Sequence, residues 1–119
     1  MRILIVDDSR AMRMIVTRTL RQSGYKSAEF SEAEDGAKAL AAIQDDCPDL
    51  VLSDWNMPEM SGIELLRALR EEGINVPFGF VTSEGTPEMR AQAMEAGAKF
   101  LIAKPFTADD FDRALAGVA

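Results

Sequence analysis

The chain has 119 residues, 47% hydrophobic and 28% charged, with 13 Lys and Arg against 20 Asp and Glu, a formal net charge of −7, and no His. That length suits one domain with its own core, and the apolar fraction argues against disorder. Lack of His excludes a His-based triad, an imidazole base and a His-containing zinc site, the lone Cys47 excludes an internal disulfide framework and suits a reducing compartment, and the acidity disfavours non-specific nucleic-acid or anionic-membrane binding.

In chain order, a first apolar run at residues 3–6 reads as a strand. It is too short for a signal-peptide core, and no apolar stretch approaches the roughly 18 residues that span a membrane, so the expected location is the cytoplasm. Asp7 and Asp8 follow. Ser9 then predicts the N-cap of a helix running to about Ser23, with Gly24 as its stop. A weak strand candidate lies at residues 27–30. Asp35-Gly36 leads into an Ala-rich helix over 38–44 that ends before Pro48. Residues 50–52 read as a strand, and Ser61 with Glu64 as the capping box of a helix closed by Gly73. Residues 78–81 form a fourth strand. Thr86-Pro87 then offers an N-cap and a first-turn proline for a helix ending at Gly97. Residues 100–102 form a fifth strand, and Thr107 caps a last helix to about Gly117.

Connections are a few residues long, with no linker, low-complexity tract or repeat. Strands separated by helices pair in parallel through right-handed crossovers, and continuously apolar strands suit a sheet covered on both faces. The expected fold is a single α/β domain over residues 1–119, a three-layer sandwich. Ligands bind such sheets beyond the carboxyl ends of the strands. Those ends carry Asp7-Asp8, Ser53-Asp54, Thr82-Ser83 and Lys104-Pro105. Carboxylates brought together repel unless a cation lies between them, and a hard divalent ion such as Mg²⁺ resolves the conflict. An incoming phosphoryl group would find the metal and Lys104 on its oxygens, a hydroxyl donor in Thr82, and a carboxylate to attack phosphorus. Singly, each residue is an ordinary loop residue. Four strand ends supplying complementary chemistry are poorly explained by coincidence.

Val6-Asp7-Asp8-Ser9, Ser53-Asp54-Trp55-Asn56-Met57-Pro58 with Gly62 behind, Val81-Thr82-Ser83 and Lys104-Pro105-Phe106, in this order, resemble the receiver domain of two-component response regulators, in particular the single-domain, CheY-like type. The resemblance covers essentially the whole chain. It implies a flavodoxin-like (βα)5 fold with strand order 2-1-3-4-5, and a phosphoacceptor role for Asp54, served by a phosphohistidine of a histidine kinase or phosphotransfer protein. It further implies Mg²⁺ held by Asp7, Asp8, Asp54 and the backbone carbonyl of Asn56, with Thr82 as switch hydroxyl, Lys104 as its cationic partner, and Pro105 after a cis peptide bond. The domain would dephosphorylate itself, with Asn56 and Glu84 tuning water access toward a short-lived phosphoryl state. It would not otherwise be an enzyme, would act as a monomer on a downstream protein target, and would carry no attached output domain.

Two residues depart from the pattern. Leu101 stands where receivers usually carry Tyr or Phe, which puts the usual route of output in doubt. Gly79 interrupts the fourth strand, as expected for close packing beneath Phe78 and Phe80. The first helix is basic in an acidic chain. At about 100° per residue with Arg10 at zero, Arg13, Arg18 and Arg21 fall near 300°, 80° and 20°, and Met14 near 40°, while Met12, Ile15 and Val16 fall near 200°, 140° and 240° as a core stripe. Arg10, Arg13, Met14, Arg18 and Arg21 are therefore a candidate docking face, which the resemblance assigns to the phosphohistidine partner, against the plainer alternative of a solvated arginine face. A Mg²⁺-dependent phosphatase with an aspartyl-phosphate intermediate is the alternative function, although it would need a cap domain for which 119 residues leave no room. A nucleotide- or flavin-binding module would need a Gly-rich loop where Asp7-Asp8-Ser9-Arg10 stands.

Overall fold

Apolar strands alternate with side-chain-capped helices along the chain. The computed structural model describes residues 1–118. Its elements are β1 (Arg2–Val6), α1 (Arg10–Gln22), β2 (Glu29–Ala33), α2 (Gly36–Asp45), β3 (Leu50–Ser53), α3 (Gly62–Glu71), β4 (Phe78–Thr82), α4 (Pro87–Ala96), β5 (Phe100–Ala103) and α5 (Ala108–Leu115). Every helix opens on a polar cap. Ser9, Asp35, Ser61, Thr86 and Thr107 accept the backbone N–H of Met12, Lys38, Glu64, Met89 and Asp110, each satisfying a donor that the helix itself leaves free. The Ser61–Glu64 capping box forms as expected, and Gly24, Gly73 and Gly97 close their helices at positive φ.

The strands pair in parallel in the order β2-β1-β3-β4-β5, the flavodoxin-like arrangement. Alternation along each strand divides the core between two faces. Leu4, Val6, Val51, Phe78, Phe80 and Leu101 pack with Ala39, Ile43, Ile63, Leu66 and Ala93 of α2, α3 and α4. Ile3, Ile5, Leu50, Leu52, Val81, Phe100 and Ile102 pack with Val16, Leu20, Phe111 and Leu115 of α1 and α5. Leu101 and its neighbour Phe100 thus face opposite layers, as expected, and both are buried. Among the described residues no helix is long and apolar enough to cross a membrane.

Three local expectations are corrected. The second strand lies at Glu29–Ala33 rather than 27–30. It is an edge strand whose Glu29, Ser31 and Glu32 are exposed, so it lacks the apolar run that marks its neighbours. Gly79 does not make room beneath Phe78 and Phe80, which point to the other face. It pairs with Phe100, whose ring occupies the space a Cβ at position 79 would need. Ile15 is not in the core stripe of α1 but 45% exposed. The helix is turned so that Val16 and Leu20, near 240° and about 280°, define its buried line, which leaves Ile15 on the open flank and brings Arg13, near 300°, beside Leu20.

Candidate functional site

The parallel ladders continue one residue beyond the strands and so fix the backbone of the site. Asp7 donates its N–H to Ala33 O at 3.1 Å, Asp54 to Val6 O at 2.8 Å, and Lys104 to Thr82 O at 2.8 Å. Asp7, Asp54, Thr82 and Lys104 therefore stand at the carboxyl edge of the neighbouring strands β1, β3, β4 and β5. Asp8, Asp7 and Asp54 each offer a carboxylate oxygen, and these three oxygens lie within 4.8 Å of one another. Three hard oxygen donors in that space fit a hard divalent cation.

Lys104, from the other end of the chain, is the counter-charge. Its Nζ lies 3.2 Å from Asp7 Oδ2 and 3.7 Å from Asp54 Oδ2. Asp7, 4% exposed, is held further by the Ser9 N–H on its Oδ1 at 2.9 Å. Asp54 Oδ1 accepts the Trp55 N–H at 2.7 Å, which leaves Oδ2 directed toward the lysine. Trp55 is buried against Phe80, their ring centroids 4.7 Å apart. Lys104 precedes Pro105 through a cis peptide bond, as the resemblance implied.

Gly62 closes the floor. Its N–H bonds to Trp55 O at 2.8 Å, and a Cβ there would collide with Asp54 O and the Phe80 ring, so only glycine lets α3 start against the Asp54 segment. Thr82 is fully buried, its hydroxyl accepting the Glu84 N–H at 3.3 Å. Asn56 and Glu84 meet across the mouth, Asn56 Nδ2 donating to Glu84 Oε1 at 3.4 Å. Of the residues expected at the strand ends, Asp7, Asp8, Asp54 and Lys104 are thus gathered in one place, with Thr82 at the same sheet edge.

The response regulator receiver domain family matches residues 3–116. The chain belongs to the response regulator receiver family. It is 44% identical to the chemotaxis protein CheY-3 of Vibrio cholerae over 91% of its own length and 83% of that protein, and 42% identical to the chemotaxis protein CheY of Pseudomonas aeruginosa over 91% and 87%. Among solved structures, Vibrio cholerae CheY4 superposes with a TM-score of 0.85 at 34% identity, covering 99% of this chain and 98% of that one. As a receiver domain it is a phosphoacceptor signalling module of two-component systems, and an acidic pocket of the kind that binds Mg²⁺ in this family is present.

The basic arc of α1 divides. Met14 is 54% exposed, and it lines a shallow groove with Thr17, Arg18, Arg21, Phe30 and Glu32, the Arg21 guanidinium lying 5.1 Å from the Phe30 ring centroid. Arg13 is instead turned inward. Its Nε bonds to Glu32 Oε1 at 2.7 Å and its terminal nitrogen to Asp7 O at 2.7 Å. It is not part of the open face. Leu20 carried the signal for this, since including it in the buried line places Arg13 at the boundary.

Burial raises Asp54 above the ordinary carboxylate range, more than Lys104 and the Trp55 N–H lower it, and Asp7 and Asp8 add to the rise. A carboxyl group raised on folding contributes stability below its unfolded pKa and loses it as pH rises through the folded one. With a chelator present, Asp54→Asn is therefore expected to unfold at a higher temperature than wild type at neutral pH, and the difference to shrink as pH falls through the raised pKa of Asp54 and to vanish below the ordinary carboxylate range. Thermal unfolding followed by circular dichroism checks this, and a variant less stable at neutral pH would contradict it.

Proposed function

We propose that Asp54 is the phosphoacceptor and that Asp7, Asp8, Asp54 and the Asn56 carbonyl hold Mg²⁺ during transfer from a phosphohistidine of a histidine kinase or phosphotransfer protein. The observation that carries this reading is the convergence of three carboxylates and one ammonium, Lys104 standing 3.7 Å from Asp54 Oδ2. A bound Mg²⁺ supplies charge neutralisation to the phosphoryl oxygens. With Oδ1 engaged by Trp55, Oδ2 is the free nucleophile. Its lone pair forms the O–P bond while the N–P bond of the donor breaks and its electron pair returns to the imidazole. Lys104 then has a phosphoryl oxygen to pair with in place of the carboxylate, and the Thr82 hydroxyl exchanges its Glu84 N–H contact for the phosphoryl group, which shifts the population between two arrangements of β4 and its following loop.

The relatives are named chemotaxis proteins, which supports a chemotaxis role for this chain; the proposal further has it act as a cytoplasmic monomer on a downstream protein. Incubation with acetyl phosphate and Mg²⁺ is expected to add one phosphoryl group to wild type, seen by intact-mass spectrometry, and none to Asp54→Asn. Labelling of the variant to the same extent would remove Asp54 from the role.

Asn56 and Glu84, touching across the mouth, are read as the residues that admit water to the phosphoryl group. Replacing both with apolar residues, Asn56→Met with Glu84→Leu, is expected to lengthen the label's half-life several-fold, and an unchanged half-life would dismiss this role.

The docking face is amended to Arg10, Met14, Arg18 and Arg21, with Phe30 under Arg21 and without Arg13. Met14→Glu with Arg18→Glu is expected to slow transfer from a phosphohistidine donor by about tenfold while leaving acetyl phosphate labelling unchanged. Equal loss with both donors would count against docking.

A further inference from the structure

We propose that Arg13 is a positioning residue for the cation site, acting through the peptide bond between Asp7 and Asp8. The proposal rests on reading Asp7, Asp8 and Asp54 as that site.

The three carboxylates are not held alike. Asp7 is fixed by the Ser9 N–H and by Lys104, and Asp54 by the Trp55 N–H with Lys104 nearby. Asp8 is exposed, and its carboxylate has no hydrogen-bond partner among the described residues. Its position must come from its backbone. The ladders do not supply the whole of that support. On the β2 side the last bond at this edge is donated by Asp7 to Ala33, and on the β3 side Asp54 donates to the carbonyl of Val6. The next carbonyl, that of Asp7, belongs to the peptide plane leading into Asp8. Its partner is the Arg13 guanidinium, at 2.7 Å.

The guanidinium is itself anchored. Its Nε bonds to Glu32 on β2 at 2.7 Å, and its side chain is 13% exposed. Arg13 therefore ties three pieces together: α1, the edge strand and the turn that carries the acidic pair. A planar fork with donors in fixed directions suits this bridging better than a flexible ammonium. The Glu32 carboxylate also balances the arginine's charge, which limits its repulsion of a cation bound by the neighbouring acids. Without the fork, the 7–8 peptide plane would be free to rotate, and Asp8 would sample positions away from the other two oxygens.

Coulomb's law and positioning predict opposite signs, which makes the proposal testable. Deleting a positive charge near an acidic site should tighten cation binding if charge alone matters. Loss of the peptide anchor should weaken it. The experiment is a titration with Mg²⁺ alone, followed by Trp55 fluorescence or by calorimetry, well below the unfolding temperature. Arg13→Met, which keeps the apolar stem, is expected to raise the Mg²⁺ dissociation constant by about tenfold, the scale of one lost hydrogen bond to a charged group. Arg13→Gln, whose donor falls two bonds short, reads the same way and replaces the Met variant if that variant fails to fold.

In an Asp8→Asn background the Arg13 substitution is expected to have little further effect, because the residue through which it acts is already impaired. Unchanged or tighter binding in a folded Arg13 variant would overturn the proposal, as would a full additional loss in the Asp8→Asn background. If wild type itself gave no Mg²⁺ response by calorimetry, the cation-site reading would fail. If wild type bound Mg²⁺ and the Arg13 variants bound it equally well, only the assignment of Arg13 would fail.

Discussion

Repulsion among three carboxylates at one edge of a parallel sheet is the constraint around which this domain is arranged. Their oxygens lie within 4.8 Å of one another, and the nearest fixed cation among the described residues comes from β5. Lys104 reaches them because strand order puts β1, β3 and β4 side by side with β5 next to β4, and the Lys104 N–H is bonded to Thr82 O on β4. The acids lie near the start of the sequence and in its middle and the lysine near its other end, so the site exists only when these strands have come together. Folding brings together charges that disfavour it, and the apolar layers on both faces of the sheet supply the compensating free energy. On the proposed reading, a bound cation would relieve that repulsion.

The surrounding backbone is pinned to hold that arrangement. Trp55 N–H takes one oxygen of Asp54, Ser9 N–H takes one of Asp7, and Gly62 lets the start of α3 press against the Asp54 carbonyl. These contacts are local in sequence or come from a helix N-terminus, so they need no additional charged group. The exposed groups are at the mouth instead: Asn56, Glu84 and Asp8 are open to solvent, and the Thr82 hydroxyl accepts a single backbone N–H. A pinned floor beneath an open rim suits the proposed transient covalent state.

Much of this was legible in the sequence, for a physical reason. Strand ends are set by apolar runs and helix starts by polar caps, both local signals, so Asp7, Asp54, Thr82 and Lys104 could be placed at one edge before any coordinates. Four of the five caps, Ser9, Ser61, Thr86 and Thr107, were read as such, and Asp35 only as the approach to its helix. What escaped was decided by tertiary contacts. The second strand pairs on one side only and is polar on its exposed positions, so its signal is weak. Gly79 looked like room for its neighbours, whereas it makes room for Phe100 on the adjacent strand, a relation that only the register reveals. The same register sets Leu101 into the layer beneath α2, α3 and α4, where the Arg90 guanidinium holds its carbonyl at 3.1 Å and so ties α4 to β5 without an aromatic ring.

Helix α1 illustrates how a small angular choice changes a functional reading. Centring the buried line on Met12, Ile15 and Val16 puts four arginines on one solvent face. Centring it on Val16 and Leu20, as the packing does, turns the helix by tens of degrees. Ile15 then joins the open flank, and Arg13 drops to the boundary, where its long stem can follow apolar surface and its fork can reach Glu32 and the Asp7 carbonyl. A chain with net charge −7 has few cations to spare, and the helix that follows the acidic pair divides its own between solvent and site. Because Arg13 grips the Asp7 carbonyl while Arg18 and Met14 lie on the open face of the same rigid helix, a partner that shifts α1 would move the backbone beneath Asp8 as well. The proposed docking surface and the proposed cation site are thus linked through one side chain.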